Sequence, residues 1–221
     1  MQIRSTRHWS DWVGVAAFTA IGVSLYTRSP EFGLLILPTL LQELVVAVSF
    51  LLRPRARQGA RGWLPRIVAY ANSFGVMVFL WYASRYHPEW IRATAVPSLR
   101  TAGVALWLSG AILALWPLWY LRRNFSVEPA ARDLVTSGPY RWARHPIYAV
   151  YLLINAGILL GHPTIPLAAV FAGWLLLLLL RVGYEEQVLA TAFPEYGEYR
   201  RRVGAFGPRP SRPALTRQVE R

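Results

Sequence analysis

The chain contains no cysteine and no lysine, only two methionines, and 11 acidic residues against 24 arginines. Without cysteine there are no disulfides, no thiolate nucleophile and no Cys-ligated metal. Charge of any kind is scarce. Only 16% of the 221 residues are charged, below what a soluble domain of this length carries. The net charge of +13 is a nucleic-acid signature where it covers one surface. Here its distribution argues against nucleic acid and records topology instead. The all-arginine usage is equally consistent with genome composition.

What the chain has in abundance is apolar sequence, 54% of all residues, gathered into long runs. Candidate spans are Trp12–Tyr26, Phe32–Leu52, Ile67–Ala83, Leu99–Leu121, Ile147–Leu160 and Ile165–Leu180. A perpendicular span needs about 20 apolar residues. The second and fourth runs meet that length, and the first and third meet it with their polar flanks. The last two are short, which puts the Gly161-His162-Pro163 turn in or near the interface. The expected fold is an all-α integral membrane protein of about five to six transmembrane helices. Its last two helices form a helical hairpin, followed by a cytosolic C-terminal segment.

Arginine sets the orientation. Arg53, Arg55, Arg57, Arg61 and Arg66 lie between spans two and three, and Arg122, Arg123, Arg132, Arg141 and Arg144 between spans four and five. Arg200, Arg201, Arg202, Arg209, Arg212, Arg217 and Arg221 follow the last span. The alternate loops hold Arg28 in one, Arg85 and Arg92 in another, and none at Gly161–Thr164. By the positive-inside rule both termini and both basic loops are cytoplasmic, in contact with anionic lipid. Arg4 and Arg7 flank the first apolar run as in a signal peptide. No small-residue cleavage motif follows, so a retained first span is expected.

The N-terminal spans read as scaffold, with Glu43 as the exception. An acidic side chain inside a span faces the bundle or a polar cavity. Its plain reading is a buried partner for an Arg or a Trp N–H. Many of the ten Trp and eleven Tyr sit at span ends, as an interfacial belt does.

The densest chemistry is Ser137-Gly-Pro-Tyr-Arg-Trp-Ala-Arg-His-Pro-Ile-Tyr148, between spans four and five. Ser137-Gly-Pro-Tyr140 is a turn signal. Pro146 suits the first turn of the helix that follows, whose free N–H groups and positive dipole end face the loop. A second polar cluster, Arg181-Val-Gly-Tyr-Glu185-Glu186, ends the last span. Ionisable groups at a membrane edge are functional candidates by default. Taken singly, Arg181 and Glu185 make an ordinary i,i+4 pair of about 0.2–0.5 kcal/mol. His145 alone is a helix cap, and Tyr140 and Tyr148 alone are belt residues.

Taken together, Leu134-Val-Thr-Ser-Gly-Pro-Tyr140, Arg144-His-Pro-Ile-Tyr148, Arg181…Glu185-Glu186 and Glu195-Tyr-Gly-Glu-Tyr-Arg-Arg-Arg-Val203 resemble the isoprenylcysteine carboxyl methyltransferase family. The four motifs fall in order between Asn124 and Gly207. Related phospholipid N-methyltransferases and, more distantly, membrane sterol reductases share parts of them. The resemblance implies S-adenosylmethionine at the cytosolic face and a lipophilic or lipidated substrate entering from the bilayer. Arg132, Asp133, Leu134 and Val135 would line the nucleotide. Tyr140, His145, Pro146, Ile147 and Tyr148 would complete the pocket, with Arg144 among the cofactor-binding set. Glu185 would take the methionyl end. Arg181 would contact the substrate and count, with Glu186, as catalytic. Ser126 is the candidate for the family's upstream polar residue. No metal is implied. The implied organisation is a transmembrane scaffold over 1–121, a methyltransferase region over 122–207 and a flexible tail over 208–221.

Methyl transfer from a sulfonium is an in-line displacement that needs positioning and desolvation more than acid–base help. A carboxylate acceptor suits a bidentate Arg, and the methionyl ammonium needs an acidic partner. Arg181 and Glu185, on one helical face, could orient one each. A lipid amine is the alternative acceptor. It must lose a proton, to Glu186 or His145. A nicotinamide-dependent reductase would carry Gly-Asp after the His-Pro-x-Tyr run, where this chain has Ala149-Val150. The lipid end of such a site is built from apolar residues on several spans, so no motif encodes the acceptor, and none encodes oligomeric state.

Overall fold

The computed structural model describes residues 37–91 and 96–209, with Trp12, Val15, Ala16, Phe18, Thr19, Ala20 and Val23. Most of the expected first span lies outside the described residues, as do Arg4, Arg7, Arg28, Arg92 and the chain beyond Arg209. The helices are α1 (Leu37–Leu52), α2 (Leu64–Tyr86), α3 (Pro97–Leu121), α4 (Pro146–Gly161), α5 (Ile165–Ala192) and the short α6 (Tyr196–Arg202). Two-residue strands β1 (Gln58–Gly59) and β2 (Ala130–Ala131) pair antiparallel. The chain is an all-α membrane protein apart from that one ladder.

Proline starts five of these helices. α1, α2, α3, α4 and α5 each carry Pro in the first two positions, where a missing N–H costs no hydrogen bond. α2, α3 with its extension to Asn124, and α5 are long and apolar enough to cross a membrane, whereas α1 and α4 are shorter apolar helices. α5 has 28 residues, about 42 Å of helix. It runs twelve residues past the end of the apolar run at Leu180, and Arg181–Glu186 ride on this extension.

The last two membrane helices are joined as the expected hairpin by a tight turn at His162–Thr164, but each packs more extensively on another partner. Their far ends meet again through Tyr148 Oη and Glu185. α4 lies along α3, where glycines remove the spacers. A Cβ on Gly157 would stand 2.6 Å from Trp107 N, and one on Gly103 would stand 2.7 Å from Gly157 O. α5 instead packs on α2. There Asn72 Nδ2 donates to Trp174 O and Trp174 Nε1 donates to Asn72 O, each at 3.1 Å. α1 crosses α3, and Gln42 Nε2 donates to Ala111 O at 2.8 Å.

The arginine-rich segments meet at one end. The β1–β2 ladder joins the connection after α1 to the one after α3. A parallel bridge between Ala143 and Gly204 folds the segment after α6 onto the same place. At the opposite end Thr164 Oγ1 donates to Trp90 O at 2.5 Å, tying the two arginine-poor connections together. This is the grouping of loops that the arginine asymmetry requires.

Candidate active site

The helices enclose a cavity of about 380 Å³ that starts at the arginine-rich end and runs down between them. Of the residues singled out in the sequence, Arg132, Asp133, Leu134, Val135, Tyr140, Arg144, His145, Ile147, Tyr148, Arg181 and Glu185 line it, as does Ser126. Pro146 and Glu186 do not. Pro146 is buried in the first turn of α4, and Glu186 is buried on the far side of Arg144.

The Ser137–Tyr140 signal forms a tight turn. Gly138 has φ +58°, and a Cβ there would stand 2.5 Å from the Tyr120 ring, so the position demands glycine twice over. The turn delivers Tyr140 into the interior. Tyr140 Oη donates to Pro117 O at 3.4 Å, and Tyr140 O accepts from Tyr199 Oη at 2.5 Å. Burial, then the nearby Glu185 charge, holds the Tyr140 phenol well above its usual value. Burial pushes Tyr199 up to about 12. Both stay protonated donors throughout the physiological range.

His145 precedes α4 but its side chain caps nothing. Its ring stacks on Tyr148, centroids 5.5 Å apart and 9° from parallel. Nδ1 lies 3.7 Å from Glu185 Oε2, and Nε2 lies 3.4 Å from Glu186 Oε1. Glu185 Oε1 accepts from Tyr148 Oη at 2.5 Å and from Arg181 Nε at 2.9 Å. The i,i+4 pair therefore exists, and it is one part of a larger network.

Arg181 has no free fork. Beyond Nε, its Nη1 donates to Ser73 Oγ at 2.7 Å and its Nη2 to Val127 O at 2.9 Å. Longer contacts reach Ala69 O, Asn72 Oδ1 and Ser126 O. The side chain is 6% exposed, with the guanidinium 5.4 Å from the Tyr148 ring centre. All three nitrogens are engaged by α2, α5 and the 126–127 strand approach. Three N–H groups make close bonds to the protein, and the rest reach only the contacts of 3.4–3.5 Å, so the bidentate grip on an acceptor carboxylate expected from the sequence would have to displace protein partners. Glu186 is similarly committed. Its Oε1 accepts from Arg144 Nε and Nη2, and its Oε2 pairs with Arg200 Nε at 3.2 Å.

β2 leads into the 132–135 stretch. Arg132 is buried, with Nε donating to Pro54 O at 2.9 Å. Asp133 pairs with Arg57 at 3.3 Å with both side chains exposed, a contact of little energy. Leu134 packs on the cluster of Val188, Phe193, Tyr196 and Tyr199 that closes the end of the cavity. Below this end the wall is made by residues outside the motifs: Thr39, Glu43, Tyr151 and Asn155. Tyr148, Tyr151 and Asn155 recur at i, i+3 and i+7, one face of α4, and that spacing was available in the sequence. The expected Arg or Trp partner for Glu43 Oε2 is absent among the described residues.

An acidic group beside tyrosine faces, closed off from water, suits a ligand that carries positive charge and an acceptor brought alongside it. A family model described as phospholipid methyltransferase matches residues 99–196. The cobalt-zinc-cadmium resistance protein CzcN of Cupriavidus metallidurans is 35% identical over 126 residues, 56% of this chain and 55% of that protein. The nickel-cobalt-cadmium resistance protein NccN of Alcaligenes xylosoxydans xylosoxydans is 32% identical over 124 residues, 56% of each. The chain thus spans about half the length of the curated relatives it matches. Residues 99–196 are thus similar to the phospholipid methyltransferase family, which holds both isoprenylcysteine carboxyl methyltransferases and phospholipid N-methyltransferases.

Proposed function

We propose that this protein methylates a lipophilic acceptor, drawn from the bilayer, with S-adenosylmethionine as the methyl donor, at the cytoplasmic end of its helices. One observation carries the reading: the cavity joins an aromatic, acidic end at the arginine-rich loops to a deeper end between the helices, where apolar side chains such as Val76, Met77 and Ile158 surround a few polar ones. The residues suit the donor. Glu185 Oε2 faces only His145 at 3.7 Å among the described residues, which leaves it able to take the methionyl ammonium. Tyr196 also lines the cavity, its buried hydroxyl beside Arg144. When bound, the sulfonium supplies an electrophilic methyl carbon.

The chain's own contribution is alignment and exclusion of water. Arg181 acts through Glu185 as a positioning residue. The 193–206 segment covers the end of the cavity. For the acceptor, the committed donors of Arg181 favour a lipid amine over the carboxylate that the sequence favours. The relatives' printed names point to metal tolerance, and a methylated membrane lipid is a product through which this chain would serve it.

The test is incubation of purified protein with methyl-labelled S-adenosylmethionine and membrane lipid extract, beside Glu185→Gln. Label in a lipid product, with donor affinity lowered in the variant by about tenfold or more, as loss of a charge-assisted bond implies, supports the reading. Equal donor affinity in both proteins, or no binding at all, defeats it.

A further inference from the structure

Two oxygens at the deep end of the cavity have nothing to bond to. Glu43 Oε2 and Thr39 Oγ1 are buried without a hydrogen-bond partner among the described residues, and both side chains line the cavity. They are four residues apart on α1, one turn, and so share a face. A buried carboxyl in an apolar bundle is costly until something pairs with it. On the facing wall Tyr151 lies within electrostatic reach of Glu43. It sits one turn of α4 beyond Tyr148, whose hydroxyl bonds Glu185. Glu43 therefore stands one rung below the donor end. Neither candidate base from the motifs is free to serve, since Glu186 is engaged by two arginines and His145 lies between two carboxylates.

Resting on the methyltransferase reading above, we propose that Glu43 is the proton acceptor, and Thr39 the hydrogen-bond acceptor, for the amine group of a lipid substrate. Bound as its ammonium, the headgroup bonds to Thr39 and passes one proton to Glu43. The freed lone pair on nitrogen forms the new N–C bond as the C–S bond of the sulfonium breaks, and that electron pair stays on sulfur. The proton leaves Glu43 for water with the products. Of the titratable groups on the cavity wall, Tyr151 on α4 is the one within electrostatic reach of Glu43, with Tyr148 one turn away and the Arg181–Glu185 pair on α5 lining the same cavity. α2 and α3 contribute Asn72, Ser73 and Trp107 to the wall, which do not titrate.

The experiment uses the full chain reconstituted in phosphatidylcholine liposomes, with S-adenosylmethionine and two probes. One is phosphatidylethanolamine in the bilayer, and the other is a farnesylated cysteine derivative with a free carboxylate. Label is expected on the amine. Glu43→Gln is expected to lower turnover by about a hundredfold to ten-thousandfold, with donor affinity by calorimetry unchanged. Its residual rate should climb with pH as the free amine loses its proton unaided, while wild type levels off at lower pH. Thr39→Val is expected to raise KM for phosphatidylethanolamine. Near-normal turnover in Glu43→Gln overturns the proposal. Label on the carboxylate alone also overturns it, while leaving the donor reading in place. Should Glu43→Gln not fold, an unchanged KM in Thr39→Val overturns it as well. A wild type that binds no S-adenosylmethionine overturns both readings.

Discussion

Arg144 holds Glu186 with two nitrogens of one guanidinium, Nε at 2.8 Å and Nη2 at 2.7 Å. Its Nη1 donates to the carbonyls of Arg200 and Val203 at the end of α6. The backbone beside it is bound too: Arg144 N donates to Gly204 O and His145 N to Ala205 O. One side chain thus fastens the loop before α4 to α5 and to the segment after α6. The pair is about 10% exposed, so water relieves little of its loss.

Glu186→Ala is therefore expected to destabilise the fold by about 3–5 kcal/mol, as stranding one member of a buried pair does. Limited proteolysis should show earlier cleavage over 203–209, and thermal unfolding in detergent should shift down. Arg144→Lys keeps the charge but loses the planar fork and should fall between wild type and Glu186→Ala. A Glu186→Ala variant as stable as wild type would reduce the pair to a surface contact.

Arg181→Lys separates two roles. With every nitrogen of Arg181 engaged by protein groups, lysine should lower stability and donor affinity together, because Glu185 loses its anchor. Thermal unfolding, calorimetry and methyl transfer on the same preparations decide this. Collapse of turnover with stability and affinity intact would restore the carboxylate clamp.

The α3–α4 contact makes a packing prediction. Gly157→Ala pushes a methyl to within 2.7 Å of backbone atoms on α3, where no side chain can move aside. A loss of about 1–3 kcal/mol is expected, as for other overpacked interiors. Gly173→Ala is the control, since nothing lies within 4 Å of a Cβ there, and it should leave thermal unfolding unchanged or raised.

The natural absence of cysteine allows single-cysteine labelling for topology. Ser137 and Pro163 are exposed at opposite ends of the helices. Ser137→Cys is expected to react with an impermeant thiol reagent only from the cytoplasmic face, and Pro163→Cys only from the other. Labelling of both from one side would refute the orientation.

The chemistry of the donor end was legible because its residues are close in sequence. Ser137–Tyr148 and Arg181–Glu186 each form a local pattern, and the start of α4 was marked by Pro146. The partners of Arg181 were not legible. Ser73, Ser126 and Val127 lie more than fifty residues away, two of these bonds end on backbone carbonyls, and any residue type supplies a carbonyl. The same holds for Glu186, whose grip by Arg144 and Arg200 depends on the return of the segment after α6. The hairpin of α4 and α5 was legible from its short turn, but the main packing of α4 was not: glycines on its other face, Gly157 and Gly161, opposite Gly103, seat it on α3.

That seam of bare backbone sets a spacing. Where Gly103 and Gly157 face each other, α3 and α4 touch through backbone atoms, which have no rotamers to change. The distance between the two helices there cannot be tuned by a side chain turning aside, so the wall of the cavity that carries Tyr148 and Tyr151 is held at a fixed remove from α3.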